Sequence, residues 1–340
     1  MDIKTAIRQL TQQQDIGAQD MITLMREIMT GQCSDAQIGA FLVALQMKGV
    51  RAAELLGAVT VMRELVTRVE VANKQHLVDT CGTGGTGTDT FNISTSSAMV
   101  AACAGARVAK HGNRAATSKS GSADLLEAAG VKLALGPDAV ARCIETVGVG
   151  FMFAPGHHSA MKHVGPARRE IGVRTIFNVL GPLTNPASAP NQVLGVYDPQ
   201  LIDVMLDVLK ALGSEHVLMF AAHDGLDEIS ISADTQVGEL VNGTIRHYVI
   251  RPEDFGIKRR DGFAMLKVDS AQESLAMVRR ALCYEDEAAG DIVALNAGAA
   301  IYAANVVDTL AAGVAKAQQI LRSGAALKKL EELAALSNTL

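Results

Sequence analysis

From about residue 76 onward, short β-rich runs alternate with stretches of helical periodicity: LVDTC (77–81), ARVAK (106–110), VGFMFA (149–154), QVLGVY (192–197) and HVLMFA (216–221) are the strand candidates. Strand–helix–strand repetition implies crossover connections, and so a parallel or mixed sheet covered by helices. Asn242-Gly243, between VGELV and TIRHYVI, predicts a hairpin at a sheet edge or an inserted ribbon. Residues 1 to about 70 read as helices only. Ser34 with Gln37 forms a capping box ahead of Ile38, Phe41, Leu42 and Leu45, and Gly49 supplies the stop. Leu55, Leu56, Val59, Met62 and Leu65 then follow at helical spacing. The stretch from about Asp291 is Ala-rich and helical. The expected fold is α/β: a small N-terminal helical domain (1–72) and a large α/β domain (73–340) with a central mixed, mostly parallel sheet. If part of 160–190, within the long segment from His157 to Pro186, reaches back to the helical domain, the two are not cleanly sequential.

A chain of 340 residues, 49% hydrophobic and 20% charged, has enough apolar surface for two cores. Its net charge of −5 argues against a generally nucleic-acid-binding surface, which needs a basic excess. No apolar run approaches the roughly 18 to 20 residues needed to span a bilayer, and MDIKTAIRQLTQQQ lacks the apolar core of a signal peptide. No membrane association and a cytoplasmic location are therefore expected. The five cysteines are scattered and never in C-x-x-C spacing, which suggests neither a disulfide framework nor a zinc site.

Within VDTCGTGGTGTDTFNIST (78–95), Gly82, Gly84 and Gly87 spell G-x-G-x-x-G. A dinucleotide fingerprint needs a helix starting inside the motif and an acid about 20 residues on. Here helical patterning starts only near Ser94, and the next strand run ends in the cation Lys110. No Gly-Lys-Ser/Thr closes a Walker loop either. What remains is an amide-rich turn before a helix start, suited to a phosphate. A ligand-free surface loop is the plain alternative.

VAKHGNRAATSKSGSADLLEAAG (108–130) repeats the strand–loop–helix plan with Lys110, His111, Arg114 and Lys119 among hydroxyls and glycines. In a parallel sheet both loops leave the carboxyl ends of their strands, where such folds bind ligands. One offers amides and the other cations, a combination that fits a substrate with several phosphates. In HDGLDEIS (223–230), Asp227 and Glu228 follow a strand and a turn. Neighbours on a regular strand point to opposite faces, so both acids serve one site only if the backbone turns there, or if they bind two different ions. Oxygen ligands beside phosphates suit Mg²⁺; a solvated acidic turn is the alternative.

Together these stretches resemble the anthranilate phosphoribosyltransferases, type 3 phosphoribosyltransferases of tryptophan biosynthesis. The matching pieces are Gly82 to Gly85, Asn92 to Thr95, the Lys110 to Arg114 loop with Ser118 to Ser122, HVGPARRE around Arg168, TIFNVLGPLTNP and HDGLDE. They stand in the family's order from about residue 77 to 230, and the helical start is similar to the family's N-terminal domain. The resemblance implies a two-domain homodimer that transfers phosphoribose from phosphoribosyl diphosphate to the amine of anthranilate, with Mg²⁺. It implies phosphoribosyl diphosphate contacts at Gly82, Gly85, Thr86, Thr90, Asn92, Ile93, Ser94, Thr95, Lys110, His111, Gly112, Asn113, Arg114, Ala115, Ala116, Thr117, Ser118 and Ser122. Gly82, Asn113 and Arg168 would meet anthranilate; Ser94, Asp227 and Glu228 would hold the metal. The family reads Gly-Gly-Asp where this chain has Gly84-Gly85-Thr86, so a carboxylate is replaced by a hydroxyl, with Asp89 three residues on.

An aromatic amine is already neutral at pH 7, so its attack on the ribose needs no strong base. The hard step is departure of diphosphate, which calls for positioning and charge neutralisation by Lys110 and the metal. No acid/base or nucleophilic side chain is expected, and packing, tunnel or hydrogen-bond roles are assigned to His111, His157, His158 and His163. A pyrimidine nucleoside phosphorylase of the same fold would not need HVGPARRE and GPLTNP. A non-catalytic nucleic-acid-binding relative should be basic.

Overall fold

The computed structural model describes residues 1–84, 87–115 and 118–340. Helices Ile3–Thr11, Ala18–Met29, Asp35–Lys48 and Ala52–Leu65 come first. The capping box forms as expected: Gln37 N–H donates to Ser34 Oγ (3.3 Å) and Ser34 N–H donates to Gln37 Oε1 (2.9 Å). Gly49 ends that helix at φ 87°. Glu54, fully buried, accepts from Ile16 N–H (2.9 Å), Arg51 N–H (2.8 Å) and Lys48 Nζ (3.0 Å), tying three of the bundle's segments together.

Among the described residues seven strands form one sheet: β1 (Leu77–Gly82), β2 (Arg107–Gly112), β3 (Val149–Phe153), β4 (Asn191–Gly195), β5 (His216–Ala222), β6 (Thr235–Val241) and β7 (Thr244–Ile250). Their order is β3-β2-β1-β4-β5-β6-β7; β1 to β5 pair in parallel, while β6 and β7 add an antiparallel edge. Asn242 (φ 48°) and Gly243 (φ 80°) turn the edge hairpin, as the two-residue loop requires. Strand alternation feeds two large cores, and Leu77, Ala109 and Met152 a smaller third. Val193, Leu218 and Phe220 pack with helices Ile93–Cys103, Ala271–Leu282, Glu287–Ala303 and Leu310–Ser323. Leu194, Val217 and Met219 share a core with the N-terminal helices.

Val164, Ala167, Ile176, Phe177 and Leu180 belong to that second core, together with Leu24, Leu42 and Val59. The segment between β3 and β4 therefore packs on the helical bundle. The strand beginning with ARVAK runs further than its apolar pattern suggests. Ladder pairs Lys110↔Phe151, His111↔Met152 and Gly112↔Phe153 carry β2 two residues past Lys110, so His111 and Gly112 join Lys110 on the sheet rather than lying in the loop. All five cysteines are free thiols.

Candidate active site

The chain runs outward from β1 to β3, then returns to β4 on the other side of β1, so β1 and β4 flank a topological switch point. In open α/β sheets such a point opens a crevice beyond the strand carboxyl ends. Gly82 and Gly195 end β1 and β4 in register, Gly82↔Gly195. The loop after β5 folds over both. A Cβ on Gly195 would lie 1.7 Å from Asp227 O, and one on Gly82 would lie 3.0 Å from Asp227 Oδ2, so the two glycines make room for the acidic turn. Gly84 N–H donates to Asp227 Oδ2 at 3.1 Å, linking the first loop to the third.

Asp227 and Glu228 lie outside the β5 ladder, on irregular backbone after a turn at Gly225 (φ 88°). The bend that two adjacent acids need to serve one site is present. The Glu228 carboxyl is pushed up to about 8, chiefly by burial and then by the Asp227 charge; Lys110 and the Ser94 backbone N–H oppose that rise. Lys110, 2% exposed, donates from Nζ to Thr80 O and to Ser94 Oγ (3.3 Å). Burial pulls its ammonium below the ordinary lysine value, against the nearby charge of Asp79. Thr80, Ser94 and Glu228 line one small cavity. The structure thus brings Lys110, Ser94 and Glu228 to a single place.

The remaining expected residues divide by setting. Thr90 pairs with Lys267 in an isolated bridge, and Asn92 precedes the helix that starts at Ile93. Ile93 and Thr95 are buried, and Thr95 Oγ1 has no hydrogen-bond partner. Ser122 Oγ donates to Asn113 O (3.3 Å), closing the second loop beside Gly112, where a Cβ would meet Ser122 Oγ at 2.2 Å. Asn113 is exposed, and its Oδ1 accepts from Arg114 N–H at 2.8 Å. The Arg114 guanidinium meets Asp124 (3.0 Å) and Glu127 (2.7 Å), so it is engaged within its own loop and helix. Ala115 N–H donates to Asp124 Oδ2 at 2.9 Å, and Ser118 is partly exposed. Gly85, Thr86, Ala116 and Thr117 lie outside the described residues. Asp89, three positions beyond Thr86, adopts φ 53° and leaves Oδ1 buried without a partner.

Arg168 is half-buried, its guanidinium 5.3 Å from the Phe177 ring centroid, and no acid pairs with it among the described residues. Burial lowers its pKa. A dehydrated, unpaired guanidinium is a ready partner for a planar carboxylate. His111 and His158 are buried with ring centroids 5.0 Å apart, and Nε2 of each lacks a partner. Burial, then the facing His158, draws His111 down to about 3; burial and then His157 draw His158 to about 4. His157 is buried with Nδ1 2.8 Å from Thr67 O, and His163 lies against Gly31 in the helical bundle.

Sequence reasoning missed several residues here. Asp79, buried on β1, accepts from His111 N–H at 3.2 Å, and Asn185 donates to Ala109 O at 2.8 Å. Ser274 and Asn296 reach the site from C-terminal helices. For Asn296 the available signal was a lone Asn in the run ALNAGAA, since Asn is a poor helix former in an Ala-rich stretch.

Residues 4–66 match the glycosyl transferase family helical bundle domain, and residues 74–327 match the glycosyl transferase family a/b domain. The chain is 57% identical to the anthranilate phosphoribosyltransferase of Chromohalobacter salexigens, covering 98% of this chain and 96% of that one. It is 56% identical to that of Thioalkalivibrio sulfidiphilus, with 98% of both covered. The crystal structure of anthranilate phosphoribosyltransferase from Thermus thermophilus superposes with a TM-score of 0.90 at 41% identity, over 98% of this chain and 99% of that one. The Saccharomyces cerevisiae enzyme in complex with PRPP and Mg gives 0.90 at 25% identity, over 99% and 98%. The chain belongs to the anthranilate phosphoribosyltransferase family.

Proposed function

We propose that this site transfers the 5-phosphoribosyl group of phosphoribosyl diphosphate to the amine of anthranilate, releasing diphosphate. The meeting of Lys110, Ser94 and Glu228 at the switch point carries the reading, with Asp227 drawn over Gly82 and Gly84 beside them. The loop after β1 holds the phosphates through backbone donors near Gly82 and the helix start at Asn92 to Thr95, and β2 with the loop that follows it does so through Lys110. Gly85, Thr86, Ala116 and Thr117 are assigned to the same substrate from the resemblance alone.

The donor set fits Mg²⁺. Two adjacent carboxylates and a hydroxyl offer oxygen only, and Glu228 is held protonated more readily than usual by burial and Asp227, a cost that a bound cation would remove. Among the described residues no group of three or more His, Cys, Asp and Glu converges, so phosphate and water oxygens would complete the shell. Ser94, Asp227 and Glu228 would hold the ion, which supplies charge neutralisation for the departing diphosphate.

Arg168 holds the anthranilate carboxylate, with Asn113 and Gly82 nearby. The neutral His111 and His158 supply packing and hydrogen-bonding surface rather than a base, in keeping with pKa values far below neutrality. Residues 1–72, joined by part of 160–190, form the helical domain against which the α/β domain (73–340) presents the crevice. The enzyme works in the cytoplasm as a homodimer. No helix of the described residues is long and apolar enough to cross a membrane, and the net charge of −5 leaves no general affinity for nucleic acid.

A fluorescence assay following anthranilate tests the reading. Consumption should require phosphoribosyl diphosphate and Mg²⁺ together; persistence of anthranilate with both present would overturn it, as would phosphorolysis of a pyrimidine nucleoside instead.

A further inference from the structure

The acidic turn after β5 is outside any ladder, and its two neighbouring carboxylates repel each other. Something else must hold the backbone in the bent form. Ile229 N–H donates to Asn296 Oδ1 at 2.8 Å, and Asn296 Nδ2 donates to Ile229 O at 3.0 Å. One side-chain amide thus satisfies both backbone groups of the residue that directly follows Glu228. The same Nδ2 donates to Ile292 O at 2.9 Å, which fixes the amide to its own helix, Glu287–Ala303. That helix packs on β1, β4 and β5, the strands whose ends build the crevice. Asn296 is 2% exposed and lines the same small cavity as Thr80, Ser94 and Glu228.

With its oxygen and both amide hydrogens engaged, Asn296 has no donor left for substrate. Its influence must pass through the backbone at 228–229, where a small rotation swings the Glu228 carboxylate away from Ser94. Asn costs helix stability relative to Ala, and a buried amide without partners would cost more, so the position suits a fastening and little else.

We infer that Asn296 is a positioning residue for the magnesium complex of phosphoribosyl diphosphate: its amide clamps Ile229 and thereby aims Glu228 at the place shared by Ser94 and Lys110. The inference rests on the reading of Asp227 and Glu228 as metal ligands.

The test uses the full chain carrying Asn296→Ala or the milder Asn296→Ser, with Glu228→Gln as reference. Binding of phosphoribosyl diphosphate is measured calorimetrically across a Mg²⁺ series without anthranilate, and circular dichroism verifies the fold. The half-saturating Mg²⁺ concentration should rise about tenfold or more in both Asn296 variants, as for residues that orient metal ligands. At saturating Mg²⁺ the KM for anthranilate should stay unchanged. An unaltered Mg²⁺ requirement in a folded Asn296 variant, beside a shifted one in Glu228→Gln, overturns the inference alone. No shift in Glu228→Gln overturns the metal reading and the inference with it. Should Asn296→Ala fail to fold, Asn296→Ser decides.

Discussion

Ser274 Oγ donates to Asn92 Oδ1 at 2.7 Å and accepts from Asn92 N–H at 3.1 Å. Asn92 also donates from Nδ2 to Ser120 O (3.1 Å) and accepts from Ser120 Oγ (2.8 Å). One asparagine therefore joins the start of helix Ile93–Cys103, the second loop and helix Ala271–Leu282. The chain just before that helix backs the first loop as well: Phe91 N–H donates to Leu266 O and Val268 N–H donates to Asp89 O, each at 2.9 Å. Ser274→Ala should destabilise the fold by about 1 kcal/mol, since the half-buried Asn92 N–H loses its partner while Asn92 Oδ1 keeps Ser120 Oγ. Calorimetry should show phosphoribosyl diphosphate binding weakened more than anthranilate binding.

Gly195→Ala is a steric test of the switch point. Its Cβ would stand 1.7 Å from Asp227 O, a backbone atom that must move. A shift of about 1 Å in a site residue can cost about a hundredfold in rate. Initial rates at saturating substrates should fall by about that factor, with far-ultraviolet circular dichroism retained.

Arg168→Ala should weaken anthranilate binding by about 1.5 to 3 kcal/mol, the range for a hydrogen bond to a charged group. Phosphoribosyl diphosphate binding should change little. Equal losses for both substrates, read by titration calorimetry, would count against a carboxylate-binding role.

Acid should destabilise the protein through His111 and His158. Both fold with pKa values pulled down, to about 3 and about 4, from an ordinary value of 6.5. Above 6.5 neither state binds the proton and the stabilising contribution is whole; as pH falls toward the folded pKa values the unfolded chain takes up protons first and the contribution is lost. Over the same window the raised Asp79 and Glu228 carboxyls, at about 6 and about 8, act in the opposite sense, so the histidine share is read as a difference: between pH 6.5 and pH 4.5 the thermal midpoint of His158→Gln should gain on that of the wild type. Turnover should show no limb near 6.5, because neither imidazole titrates there in the folded enzyme.

Thr86→Asp restores the carboxylate that the family carries at this position. Activity should persist in both forms, with the KM for phosphoribosyl diphosphate or the Mg²⁺ profile shifted. Steady-state kinetics across a Mg²⁺ series reads the difference.

The strands were legible because apolar runs bounded by turn residues have few other uses. The Asn242-Gly243 hairpin and the Ser34–Gln37 capping box were legible because their chemistry is local, complete within four residues. The end of β2 was not, since His111 and Gly112 join the ladder only through pairing with β3, and no apolar pattern continues past Lys110. Arg114 belonged to the expected cationic loop, yet Asp124 and Glu127 take its guanidinium, a choice made by the first turns of the following helix.

Loop chemistry, the order of the motifs and the alternation of strand and helix were written into the amino acids, because each depends on neighbours a few positions apart. Which side chains hold those loops still was decided only by the folded chain. Asn296 reaches Ile229 across 67 positions and Ser274 reaches Asn92 across 182, both from helices whose surroundings look like ordinary core. Hydrogen bonds of a few ångströms carry no trace along a sequence until packing brings their partners together.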